Sequence, residues 1–399
     1  MKKNILISIQ ILLAVLVAGC AQGGKKELAE GFYAMELPVE NKDKTINMSR
    51  VVQSIAYIPL ETTDECRIEN IWKVVPMNDY LVVMDKKSWE HVYLFTRQGQ
   101  FVREISSKGT MENQYATLGD VTADPEKNSI FILDGTRKTI LEFDTENTLL
   151  NKTPTLFYVE NFQFIQGNTF ALNPNYHASK FFAGDTPNLL LMNLESGVTA
   201  RGVVRPKELE PSHMIGLRAN FSKIRDGATF IAPLCDTVFL ATENEIRPLY
   251  RVDFGNDNET RNQEHIRDIL NDKPAVYSLE KLYEGMDKVF MTGFYAFDAV
   301  ALVTYSKQTR RYAAFYYPES GKVIAGSSSQ PRVAIPVGND MDGLTVFSPL
   351  GGENNRMFCY TTLGLSDNAT ALSPEAEQVK NAYKKGDNPV LAVVTLKTE

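Results

Sequence analysis

Histidine and cysteine are scarce, at four of each in 399 residues. His91, His177, His213 and His265 stand apart from one another, so a multi-histidine metal centre is not expected. Glu264-His265 lacks the second helical histidine that an H-E-x-x-H zinc site needs. Cys66, Cys235 and Cys359 match no metal motif and no C-x-x-C redox pair, and are expected as buried small side chains, with a disulfide among them left open. A basic surplus is also missing. Lys and Arg number 42 against 49 Asp and Glu, a formal charge of −7, which argues against a nucleic-acid partner. No G-x-S-x-G elbow, P-loop, G-x-G-x-x-G or sialidase-type Asp box occurs, so no nucleophilic serine or phosphate cradle can be named. The apolar run from Ile5 to Val17 is shorter than the roughly 20 residues a membrane-spanning helix requires.

What is present is an ordinary globular balance, 43% hydrophobic and 23% charged, with 17 Tyr and 21 Phe. Residues 1–19 form a signal peptide: Lys2 and Lys3, the apolar run, then small residues Ala18-Gly19 directly before Cys20. That order matches a bacterial lipobox, in which Cys20 becomes the acylated, palmitate-bearing N-terminus and the chain gains a lipid anchor. Residues 20–48 are expected as the acylated N-terminus and a tether. The stretch after the cysteine, AQGGKKE, is basic rather than acidic, which leaves open the membrane face of an outer-membrane location.

From residue 80 the chain repeats. YLVVMD, HVYLFT, a turn at Arg97-Gln98-Gly99 and QFVREI are followed by SIFILD, TILEFD, a turn at Thr145-Glu146-Asn147 and TLLNKT. The turn positions Gly99, Asn147, Gly197 and Asn244 recur every 47–50 residues; the next, Gly321, comes after 77. The 29 residues 257–285 carry helical rather than strand spacing, and excising them restores a step of 48. A second helical insert is expected at 373–386, with Ser373 as N-cap, Pro374 at the first position and Gly386 as stop. Strand repeats of 40–50 residues indicate a β-propeller. The fold class is therefore all-β: a six-bladed propeller over 49–399 with two short helical inserts. The last blade is one strand short, and Ser54–Glu61 is expected to supply it and close the ring.

Several segments carry a family resemblance: IPLET (58–62), the YLVVMD…YLF…GQFVREI blade, CDTVF, PLYRVDFG (248–255) and DNPVLAVVTLK (387–397). On these the chain resembles the six-bladed, NHL-like β-propeller lipoproteins of Bacteroidetes. The resemblance implies a cell-envelope location and a part in nutrient capture or sensing, with a glycan, a peptide or an envelope transporter as partner. In relatives a Gly-Pro-Gly-Glu-Tyr-like loop follows the first blade; here KGTMENQY keeps Lys108, Gly109 and Tyr115 only.

Aromatic rings in or near expected loops are Trp72, Trp89, Tyr115 and Tyr176. A ligand site is expected around Trp89, Lys108, Glu112, Tyr115 and Tyr176, where flat rings could stack on sugar faces beside hydrogen-bonding groups. The competing role for Trp89 and Tyr115 is to fill gaps between blades. Asp85, Asp120, Asp134, Asp236 and Asp298 sit at strand ends, where aspartate is ordinary turn chemistry. No catalytic residue is named and no cofactor is expected; a calcium ion on such oxygens would lack the spacing of a calcium loop. The favoured reading is a non-catalytic, lipid-anchored binder. The alternatives are a propeller enzyme acting on carbohydrate or a lactone, and a structural interaction platform.

Overall fold

The computed structural model describes residues 26–86, 90–175, 181, 187–202, 217, 219–232, 235–257, 289–330 and 333–399. Six antiparallel sheets follow one another around a ring. Blade 1 comprises Ile71–Pro76, Tyr80–Lys86, Glu90–Thr96 and Phe101–Glu104, paired in that order. Blades 2 to 5 repeat the plan, with first strands Leu118–Asp124, Asn161–Gln166, Phe221–Ile224 and Val289–Ala296. Blade 6 begins with Leu344–Glu353 and ends, out of chain order, with Val52–Pro59.

The burial pattern explains the hydrophobic pattern. Second strands such as Ser129–Asp134 are buried along their whole length, because both faces meet neighbouring blades. This is why they read as unbroken apolar runs rather than alternating ones. Outer strands such as Leu149–Pro154 are largely exposed. The core is a set of wedges between blades, for example Val92, Leu94, Tyr115, Leu118, Ile132 and Phe143 between blades 1 and 2.

The expected ring closure is present. Val52–Pro59 pairs antiparallel with Val390–Leu396, from Pro59 opposite Val390 to Ser54 opposite Thr395. Gly99, Asn147, Gly197 and Gly321 all take the positive φ expected of them, from +66° to +86°. The second helical insert is the helix Pro374–Ala382; Ser373 Oγ accepts the amide of Ala376 at 3.2 Å, and Gly386 follows at φ +100°. The first insert, 257–285, lies outside the described residues except for Asp257.

The expected tether needs correction from residue 26 onward. Lys26–Ala29 and Phe32–Glu36 form a hairpin, and Phe32–Glu36 adds in parallel to the outer strand of blade 4, Ile246–Asp253. Met35 and Leu37 are buried there. The chain then crosses blade 5, where Tyr305 donates to the Pro38 carbonyl at 2.7 Å and Lys44 bridges Ser327. Gly326 permits this crossing, since a Cβ there would lie 2.4 Å from the Lys44 carbonyl oxygen. Residues 26–47 thus form a strap over the outer edges of blades 4 and 5 and lead into the closing strand of blade 6. Short apolar stretches (FYAMEL, then IN) seat it, and their partners lie some 200 or more residues away.

The two ends of the ring differ. Turns joining first to second and third to fourth strands are short, and they meet in a closed circle of contacts. Asn78 donates to Pro125 O at 3.0 Å, Gln166 to Glu243 Oε2 at 2.6 Å, and the Asp298 amide to Asn354 O at 2.9 Å. The other end carries the longest connections, including the stretches 105–117 and 366–389, beside short ones such as the turn between Lys307 and Arg310.

Candidate functional site

The first strand of each blade faces the axis, so six first strands build most of the wall of a central channel. The channel holds a cavity of about 370 Å³, lined from all six blades. Small residues keep it open. Gly119 and Ala123 of blade 2 and Gly351 and Gly352 of blade 6 contribute almost no side chain. At Gly351 the blades come so close that a Cβ would lie 1.9 Å from the Val74 carbonyl oxygen.

Trp72 lies on the first strand of blade 1 and is among the residues lining this cavity, 36% exposed. Opposite lies a relay of amides. Asn173 Nδ2 donates to Asn161 Oδ1 at 3.2 Å, Asn161 Nδ2 to Asn220 Oδ1 at 2.8 Å, and Asn220 Nδ2 to the Ile231 carbonyl at 2.9 Å. Gln163, also on the wall, donates to Thr122 Oγ1 at 2.9 Å. Gln163 Nε2 also donates to the Phe164 carbonyl at 3.3 Å, whereas Asn161 and Asn220 each keep a second N–H after these bonds.

The carboxylates of the wall are engaged. Asp120 is buried; it receives Lys73 Nζ at 3.0 and 3.1 Å and the amides of Val121 and Phe162 at 2.8 and 3.0 Å. Glu353 is clamped by Arg97, at 2.9 and 2.6 Å, and by Arg356 at 3.0 Å. Glu160 accepts the Tyr158 hydroxyl. Asp298 stands 4.0 Å from Arg225. Lys223 donates to the Ile165 carbonyl at 2.7 Å, and burial pulls its ammonium down to about 8. Among the described residues, no group of three or more His, Cys, Asp or Glu side chains is placed to hold a metal ion.

The residues expected at a ligand site fall elsewhere. Tyr115 is fully buried between blades 1 and 2, with its hydroxyl donated to the Glu90 carbonyl at 2.6 Å. That is the gap-filling role, and it leaves no ring face open. Lys108 is exposed and pairs with Glu90 Oε2 at 3.3 Å; Glu112 is exposed and pairs with Lys152 at 3.0 Å. Neither lines the channel. Trp89 and Tyr176, like Cys20, lie outside the described residues. Asp85 and Asp134, 49 residues apart in the repeat, do turn chemistry. Asp85 accepts the amides of Glu69 and Asn70, and Asp134 those of Ala116 and Arg137, at 2.8 to 3.0 Å. Cys66, Cys235 and Cys359 are free thiols; Cys66 and Cys359 are buried, and burial raises all three.

A family profile described as a domain of unknown function, DUF4934, matches residues 34–395. The chain belongs to the DUF4934 family. The matched span contains all six blades together with most of the strap, so the family unit is the closed ring. No curated protein matches the sequence. Among solved structures, a proposed exported protein of Bacteroides fragilis is similar at a TM-score of 0.69 and 15% identity, covering 91% of this chain and 99% of that one. A member of the DUF4221 family from Bacteroides vulgatus is similar at a TM-score of 0.48 and 10% identity, covering 87% and 97%. At such identities the first likeness speaks for the fold of this DUF4934 chain alone.

Proposed function

We propose that this DUF4934 propeller is a lipid-anchored envelope protein that binds a small ligand, a glycan or a peptide, in its central channel and does no chemistry on it. The observation that carries this reading is the state of the channel carboxylates. Propeller glycosidases need two or three carboxyl groups free to exchange protons or attack the sugar. Here Asp120 and Glu353 are held by cations and multiple hydrogen bonds, which occupy their lone pairs. A stacking ring at Trp72 and spare amide donors at Asn161 and Asn220 suit recognition. The lipobox at Cys20 supports anchoring, and the exported character ascribed to the B. fragilis neighbour agrees with an envelope location. The outer membrane, and a place beside a nutrient-capture transporter, follow from the NHL-like lipoprotein resemblance.

The test is a glycan and peptide array probed with the chain and with Trp72→Ala. The reading expects ligands that bind the parent and lose at least tenfold in affinity with Trp72→Ala, without turnover. Hydrolysis of a bound ligand, abolished by Asp120→Asn, would contradict it.

A further inference from the structure

Exposed apolar side chains gather at one end of the ring. Among the described residues, eight large ones are exposed. Trp72 lines the channel, and Leu150 lies on the outer strand of blade 2. The other six, Met111, Leu156, Phe181, Met341, Leu365 and Tyr383, lie on or beside the connections at the end that carries the longest ones. None lies on the turns at the opposite end, where exposed residues include Gln98, Glu195, Ser196, Glu319 and Ser320. Single exposed apolar residues are ordinary on a protein surface, but scatter alone would spread them over both ends. Leu156 is also held at φ +65°, a left-handed backbone that leucine adopts at a cost, and its side chain is 66% exposed, so burial within this chain does not offset the strain.

The chain leading to the anchor limits what can cover this face. Cys20 and Lys26 are six residues apart, and six residues span at most about 20 Å. Lys26 opens the hairpin on the outer edge of blade 4, opposite Ala34. A seven-residue strand such as Leu118–Asp124 is about as long, so an acylated Cys20 holds the ring against the lipid rather than at a distance from it. With blade 4 tied at its rim, the six side chains stand around the rest of the ring. Met111 and Leu156 flank blade 2, Phe181 lies on blade 3, Met341 between blades 5 and 6, and Leu365 and Tyr383 on blade 6. A flat lipid surface meets all of these at once, each side chain entering the headgroup boundary singly, whereas a protein partner calls for one contiguous patch. Tyrosine is also at home at that boundary.

Resting on the lipid anchoring read from Cys20, we propose that the end of the ring bearing the long connections is a lipid-docking face. The acyl chains tether blade 4 at its rim, Met111, Leu156, Leu365 and their neighbours enter the headgroup boundary of the bilayer, and the turn end points to solvent.

The test uses the acylated chain in vesicles of phosphatidylethanolamine and phosphatidylglycerol, with and without brominated acyl chains, and a fluorophore on single introduced cysteines. Met111→Cys, Leu156→Cys and Tyr383→Cys report the connection end, and Gln98→Cys and Ser320→Cys the turn end. The parent chain, labelled alongside, sets the background from Cys66, Cys235 and Cys359. The proposal expects brominated lipid to quench the first three labels at least severalfold more than the other two. That difference should survive a long Gly-Ser insertion between Gly24 and Lys25, and quenching at Tyr383→Cys should fall when Met111→Asp and Leu156→Asp are added. Equal quenching at both ends, with the chain still held by the vesicles, would overturn the docking face and spare the anchor. A difference that vanishes with the insertion would mean that the tether alone orients the ring, which overturns the docking face too. Labels shielded without quenching by brominated lipid, together with a dimer in sedimentation, would give the face to a second copy and overturn the lipid. A chain that carries no acyl group and does not stay with the vesicles would overturn the anchoring itself, and the docking with it.

Discussion

Gly99 carries two constraints at once: its φ is +86°, and a Cβ there would lie 2.2 Å from the Pro59 carbonyl oxygen of the closing strand. Gly197 has nearly the same φ, +83°, with nothing within 4 Å. The left-handed backbone alone costs a non-glycine residue about 1–2 kcal/mol. Gly197→Ala should therefore lose about that much, and Gly99→Ala clearly more, since Pro59 must also move. Chemical denaturation of the two variants side by side separates the terms; equal losses would mean that Gly99 does not seat the closing strand. Two titrating side chains give opposite pH signatures. His91 Nδ1 lies 2.7 Å from Glu104, and that hydrogen bond raises the imidazole above its usual 6.5. Its contribution to stability is full below pH 6.5 and disappears as pH rises through the raised value, so His91→Gln should cost stability at pH 5.5 and little at pH 9. Lys223, lowered from 10.5 to about 8, does the reverse: the unfolded chain holds its proton longer, so stability gains between about pH 8 and 10. Lys223→Met should flatten that gain in denaturant titrations across the range.

Strands divide into those that close the ring and those that wrap it. Val52–Pro59 covers the exposed edge of Val390–Leu396, and deleting 54–61 should leave that edge unpaired and the protein prone to aggregate. Deleting 26–47 removes only the strap, so the ring should still form, with a lower melting temperature and faster proteolysis at blades 4 and 5. An unchanged melting temperature after that deletion would contradict the seating of Met35, Leu37 and Ile46. The ring was legible in the sequence because its signals are local: turn residues that need positive φ, apolar second strands, and a period that survives removal of one insert. The strap was not. FYAMEL gains its meaning as a strand only from pairing with Ile246–Asp253, and no nearby residue announces a partner that distant. The site was legible only in part. Trp72 was visible as a ring worth placing, whereas the loops drew attention to Lys108, Glu112 and Tyr115. Asn161, Gln163 and Lys223 look like ordinary strand residues until the first strand of each repeat is known to face the axis.

At the scale of the molecule, one end of the ring is a circle of tight turns and the other carries the longer connections, with the channel running between them. Anchoring belongs to this scale as well: the Cys20→Ala variant should leave the membrane fraction, and retention after a high-salt wash would contradict lipid attachment. The central claim is that ligand enters the channel rather than resting on the outer loops. Lysine-labelling mass spectrometry addresses it in one experiment, with and without the best ligand from the array. Lys223 and Lys86 report the channel, while Lys108 and Lys152 lie outside it. The account predicts that ligand slows labelling of Lys223 and Lys86 at least severalfold and leaves Lys108 and Lys152 unchanged. Protection of Lys108 with no change at Lys223 would contradict it.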